Sequence, residues 1–102
     1  MRARRADGPR RKPSAVKPEI RFSIRAEEDL DALSEFTAKR FGLMQEQKYR
    51  DGIFRAFQML LTFPNIGTER NDASDGLRRT VHERHVIYYS THQFGMLIER
   101  IL

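Results

Sequence analysis

The chain has 102 residues, a formal net charge of +5 and no cysteine. That length allows one domain with a thin core, and the lack of thiols excludes disulfides, cysteine nucleophiles and cysteine metal sites. No apolar run approaches the roughly 20 residues of a membrane-spanning helix, and the basic N-terminus has no apolar stretch of the secretory type, so a cytoplasmic location is expected.

The positive charge is unevenly placed. Residues 1–18 hold seven basic groups (Arg2, Arg4, Arg5, Arg10, Arg11, Lys12 and Lys17) against Asp7 alone, whereas residues 19–102 hold twelve basic and thirteen acidic groups. The alkaline character therefore belongs to an arm. Pro9, Pro13 and Pro18 oppose helix formation in it, and its lack of apolar periodicity predicts disorder over residues 1–18, ahead of a domain at 19–102. Direct nucleic-acid contact is expected only through this arm, by phosphate attraction.

Glu19 to Ser23 alternates, with Ile20 and Phe22 on one side and Arg21 on the other, the period of a half-buried strand. Ser23 is placed to cap a helix running from Ile24 or Arg25 to about Arg40, in which Ala26, Leu30, Leu33, Phe36, Thr37 and Phe41 recur at three- and four-residue steps. Glu27, Glu28 and Asp29 match the positive end of that helix, and its carboxylates read as a solvated face. Gly42 ends it. A second helix is predicted from about Met44 to Phe63, with Tyr49, Ile53, Ala56, Phe57, Leu60 and Leu61 in register, Gly52 an unfavourable interior residue, and Pro64 barring continuation.

Pro64 to Gly76 is polar and turn-rich, a connecting loop. Beyond it the period changes to two, giving strands at Leu77–Glu83, His85–Thr91 and Gly95–Leu102 with turns at Glu83-Arg84 and His92-Gln93-Phe94. A strand, an antiparallel helical hairpin and a three-stranded antiparallel meander make an α+β domain with both helices on one face of the sheet. The expected core is Leu30, Leu33, Phe36, Ile53, Phe57, Leu60, Ile87 and Ile98.

No phosphate-binding glycine loop, H-E-x-x-H or G-x-S-x-G motif is present, and His82, His85 and His92 lack metal-ligand spacing. No metal, cofactor or catalytic residue is expected. The one informative cluster is Arg78, Arg79, His82, Arg84, His85, Tyr88, Tyr89 and Arg100, which adjacent strands bring together. Such a set suits phosphate binding, base stacking or transition-state stabilisation in RNA cleavage. It equally suits a sheet whose aromatics pack inward while its arginines keep the other face wet.

Six segments in order resemble one family: Ser23-Ile24-Arg25-Ala26-Glu27-Glu28-Asp29-Leu30 (an S-x-x-A-x-x-D-L opening), Phe41-Gly42, Phe63-Pro64-Asn65-Ile66-Gly67, Gly76-Leu77-Arg78-Arg79, His85-Val86-Ile87-Tyr88-Tyr89 and Ile98-Glu99-Arg100-Ile101-Leu102. Together they span residues 19–102 and are similar to the ParE-type toxins of the RelE/ParE superfamily. The resemblance implies the toxin half of a type II toxin–antitoxin pair, a non-enzymatic binder of DNA gyrase. It also implies a ParD-like antitoxin whose disordered tail folds onto the toxin. Arg78, Arg79, His85, Tyr89 and Arg100 are then the candidate contacts for target or antitoxin. Two departures from the pattern are Thr68, where many relatives carry arginine, and the end of the sequence at Leu102, where the family continues. The alternatives are a RelE-like ribosome-dependent mRNA endoribonuclease on the same fold and an inactive truncated relative.

Overall fold

A computed structural model describes residues 17–69 and 76–102, so the arm expected at 1–18 lies outside the described residues up to residue 16. The elements in chain order are β1 (Glu19–Phe22), α1 (Ile24–Phe41), α2 (Leu43–Thr62), β2 (Thr68–Glu69), β3 (Arg78–His82), β4 (His85–His92) and β5 (Gly95–Ile101). The strands form one sheet in the order β1-β5-β4-β3-β2. β1 runs parallel to β5, and every other pair is antiparallel.

The α+β class, the hairpin and the meander are as expected, and two pairings were not foreseen. β1 joins the far edge of the meander, with Ile20 opposite Met96 and Phe22 opposite Ile98. Thr68 and Glu69, inside the stretch expected to be loop, pair with Arg79 and Arg78. Both side chains of β2 are exposed, so no apolar alternation marks so short a strand.

The core lies between the hairpin and one sheet face. Ala26 of α1 and Ile53, Phe57 and Leu60 of α2 pack on Ile87, Tyr89, Met96, Ile98 and Ile101. Leu30 and Leu33 are half-buried at its margin. Phe36, expected in the core, is 59% exposed. At about 100° per residue it sits roughly 80° off the line through Ala26, Leu30 and Leu33, at the rim of the apolar stripe. Between the helices Gly42 adopts φ 94° and ψ 166°, a positive-φ extended conformation in which a side chain is strained. Gly42 accepts the Glu46 amide at its carbonyl while donating its own N–H to Ala38 O, so one residue closes α1 and opens α2.

Helix α1 is docked by its first two turns. Ser23 Oγ accepts the Ala26 N–H at 3.0 Å and donates to Glu99 O at 2.7 Å, while the Ser23 amide donates to Ile98 O. Asp29 Oδ2 accepts both Arg100 Nε at 2.8 Å and the backbone N–H of Ile101 at 2.9 Å, and Oδ1 accepts Arg100 Nη2. These partners lie at a β-bulge: Tyr88 pairs with Arg100 but Tyr89 pairs with Ile98, which leaves Glu99 as the extra residue. In an unbroken strand Ile98 and Ile101 would point to opposite faces; the bulge shifts the phase by one and both are buried. Asp29, read from sequence as part of a solvated face, is thus a tether between α1 and β5.

The hairpin carries its own polar lock. Glu46 continues the buried line of α2 and is only 5% exposed, accepting hydrogen bonds from Ser34 of α1 and from Arg50 one turn on. Those two partners, Arg50 foremost, hold its carboxyl below the usual carboxylate range. Among the described residues no helix is long and apolar enough to cross a membrane.

Two predictions follow from these contacts. The Arg100 guanidinium, and then the Ile101 amide, hold the Asp29 carboxyl below its ordinary range against the opposing effect of burial. Its contribution is therefore complete above the unfolded-chain value of about 3.9 and is lost as pH falls through the lower folded value. Asp29→Ala should cost about 1–3 kcal/mol at pH 7 by leaving the Ile101 amide and Arg100 unpaired, and urea melts from pH 7 to 3 should show a shallower acid slope than wild type. At Gly52 an added β-carbon would stand 3.8 Å from His82 Nε2, an ordinary contact. Gly52→Ala should accordingly stabilise the domain by up to about 1 kcal/mol, read as a higher urea midpoint with unchanged slope.

Candidate functional site

The five candidate residues do not form one patch. Register places Arg78 opposite Tyr89, and Arg79 opposite Tyr88, which in turn faces Arg100. Alternation therefore sends Arg78, Tyr89 and His85 to the helix-bearing side of the sheet and Arg79 and Arg100 to the open side.

Tyr89 is fully buried. Its hydroxyl donates to Pro64 O at 2.8 Å and accepts the Gly67 N–H at 3.0 Å. Burial raises its pKa against the lowering effects of the Gly67 bond and Arg78, so it stays a neutral phenol. Arg78 Nη1 donates to Gly67 O at 2.7 Å. A side chain at Gly67 would collide with the Tyr89 hydroxyl and with the Arg79 carbonyl. The segment Pro64–Gly67, Arg78 and Tyr89 is therefore one assembly that straps the chain leaving α2 to the sheet, and Tyr89 has no surface to offer a partner.

His85 is half-buried, with Nδ1 2.8 Å from the Tyr49 hydroxyl. Burial, followed by the charge of Glu83, pushes Tyr49 up to about 12, so it remains protonated at neutral pH. Arg100 is committed to Asp29. Arg79 alone of the five is exposed and has no side-chain hydrogen bond described to the rest of the domain.

Two surfaces among the described residues are open to partners. On the open sheet face a shallow depression of about 660 Å³ is lined by Arg25, Tyr88, Ser90, His92, Glu99 and Leu102, among others. At its floor Ser90 Oγ donates to Glu99 Oε2 at 2.8 Å and lies 2.8 Å from His92 Nε2. With its one proton directed to Glu99, the serine accepts from His92 rather than donating to it, so the pair is not arranged as a nucleophile and its base. The second surface is a cleft of about 660 Å³ between the hairpin turn and the β3–β4 turn, lined by Leu33, Phe36, Arg40 and Phe41 of α1 and by Glu83, Arg84 and His85 at the β3–β4 turn. Leu43 and Met44, each 77% exposed, extend the apolar surface at the hairpin turn. Among the described residues no group of three or more His, Cys, Asp or Glu could hold a metal ion.

Sequence reasoning passed over Asp29, Glu46 and Tyr49. The signal for Asp29 was present in the spacing of Ser23, Ala26 and Asp29, three residues apart, which puts capping hydroxyl, buried methyl and carboxylate along one side of two helical turns. Nothing comparable marks Glu46, whose burial depends on how the two helices meet.

Comparison with known proteins gives a consistent result. Residues 20–102 match the family described as ParE toxin of type II toxin-antitoxin system, parDE. The chain is 29% identical over 86 residues to Toxin ParE1 of Caulobacter vibrioides, covering 84% of this chain and 85% of that protein. Its fold is similar to that of a chain from the chromosomal ParDE TA system of P. aeruginosa, with a TM-score of 0.67 at 22% identity over 82% of this chain and 92% of that one.

The strap generates a prediction of its own. Tyr89→Phe removes the acceptor of the Gly67 amide and should lower stability by about 1–3 kcal/mol. Amide exchange at Gly67 should quicken well beyond that of α2 residues, and uniform acceleration everywhere would argue against a local role for the hydroxyl.

Proposed function

The chain belongs to the ParE toxin family of type II toxin–antitoxin systems, and on that premise we propose that it acts in the cytoplasm by binding DNA gyrase, without catalysis, and is neutralised by a ParD-type antitoxin. The gyrase target follows from the family resemblance. The observation that carries the non-catalytic part is the employment of the polar residues: Arg78, Tyr89, His85 and Arg100 are each bonded to another part of the domain. Tied in this way, they are better placed to hold the fold than to meet a scissile phosphate.

A ParD-type partner is supported by the origin of the structural relative in a ParDE system. It is supported as well by the apolar side chains that the hairpin leaves in water. Phe36, Phe41, Leu43, Met44 and Met59 are all more than half exposed, more than a small soluble domain needs to display. A disordered tail that folds on binding recovers its ordering entropy from such surface.

Controlled expression in a bacterial host, with and without the adjacent reading frame, tests the proposal. The expected outcome is growth arrest relieved by the adjacent product, together with loss of supercoiling when purified protein is added to gyrase. Arg79→Glu, at an exposed side chain with no hydrogen bond among the described residues, should weaken the gyrase effect while leaving the urea midpoint within about 0.5 kcal/mol of wild type. Arrest with intact supercoiling and ribosome-dependent mRNA cleavage would replace this reading with that of a ribonuclease.

A further inference from the structure

We infer that the outer edge of β1 is a self-association site, at which a second copy of this chain pairs antiparallel with Ile20 opposite Ile20 and Glu19 opposite Arg21. This association requires neither the gyrase nor the antitoxin reading. Among the described residues β1 ends the sheet, with β5 on one side and no strand on the other. The amides of Glu19 and Ser23 donate to the carbonyls of Phe94 and Ile98. Backbone groups of successive residues face opposite sides of a strand, so Glu19, Arg21 and Ser23 are turned toward β5, while Ile20 and Phe22 direct N–H and C=O outward. The edge is thus a ladder with its bonds unmade.

Charge selects the partner and the register. Pro18-Glu19-Ile20-Arg21-Phe22 carries opposite charges at equal distances from Ile20. Antiparallel pairing centred on Ile20 sets Glu19 across from Arg21 of the second copy twice, at the non-hydrogen-bonded positions where facing side chains come closest. Centring on Glu19 or on Arg21 sets like charges opposite each other. The chosen register also fits the backbone: the two Ile20 residues exchange both bonds, and each Phe22 amide meets the Pro18 carbonyl of the other copy, where proline brings no N–H that would need a partner. Arg21 Nη2 already lies 2.7 Å from Glu19 Oε1, with both side chains more than half exposed, so a second copy extends this pair into a ring of four alternating charges. On the other side of the strand, Pro18, Ile20 and Phe22 line a groove of about 350 Å³ with Phe54, Gln58 and Leu61 of α2. Phe54 is 42% exposed there, although its ring meets Phe22 edge-on at 6.3 Å. A two-fold axis through Ile20 lays the same groove of the second copy alongside, and the apolar residues cover one another. Edges that keep sheets apart carry charges that repel any incoming strand; this one carries charges that repel every partner except a matching copy.

Sedimentation equilibrium of the full chain at pH 7, over a range of concentrations, tests the site. A monomer–dimer equilibrium is expected. Glu19→Arg and Arg21→Glu, which set like charges opposite each other, should each weaken dimerisation by about ten-fold or more. Mixed in equal amounts, the two variants should form a heterodimer, because opposite charges meet again at both positions, and the double variant carrying both changes should regain self-association. Circular dichroism melts keep folding defects apart from association defects, and recovery on mixing is a result that a misfolded variant cannot give. A wild-type chain that stays monomeric throughout would overturn the site, as would a dimer that the single variants leave intact or a mixture that forms no heterodimer. A monomeric chain whose binding to the product of the adjacent reading frame is lost in both single variants would assign the edge to that product instead, and overturn self-association.

Discussion

The bond between Asp29 and the bulge in β5 is the constraint on which the domain depends. A four-stranded or five-stranded sheet can bury one face only if its strands alternate in phase, and β5 must bury Met96, Ile98 and Ile101, whose spacing breaks a two-residue period. The bulge at Glu99 supplies the missing step, at the cost of backbone groups displaced from the ladder. Ser23 takes the Glu99 carbonyl and Asp29 takes the Ile101 amide, so the helix that covers the core also completes the strand beneath it. Helix position and strand phase are therefore coupled through these bonds.

A second device of the same kind operates at the opposite side of the sheet. Tyr89 sends its ring into the core and its hydroxyl to the chain leaving α2, where Pro64 and Gly67 receive it. Arg78 adds a bond to the Gly67 carbonyl. The short β2 pairing stands on this anchorage, because two exposed residues contribute too little burial to hold a strand edge by themselves. With Asp29, Arg78, Tyr89 and Arg100 spent on internal ties, the domain turns outward apolar side chains around the hairpin and arginines at the cleft and on the open sheet face.

That division bears on function. A toxin that works by occupying a large partner does not need a constellation of free acids and bases; it needs rigid surface whose exposure is tolerable alone and relieved on binding. The hairpin meets the first condition through Glu46, held between Ser34 and Arg50, which joins the two helices. Exposed Phe36 and Phe41 beside Arg40 and Arg84 meet the second.

Periodicity in the sequence determined the number, type and order of the main elements, because helices of 18 and 20 residues and strands with a wet and a dry face leave a repeating apolar signature. Ser23 as a cap, Gly42 and Pro64 as boundaries, and Ile53, Phe57, Leu60, Ile87 and Ile98 as core could be read in the same way. The ordered motifs from Ser23 to Leu102 carried the family. What only the tertiary structure decided are the features that depend on two distant segments meeting: the parallel placement of β1, the two-residue β2, the bulge, and the employment of each polar residue. Arg78, Arg79 and Arg100 are alike in sequence, yet one holds a loop, one is exposed and one is paired with a helix. A side chain's partner across the fold is set by packing geometry, and local pattern holds no record of it.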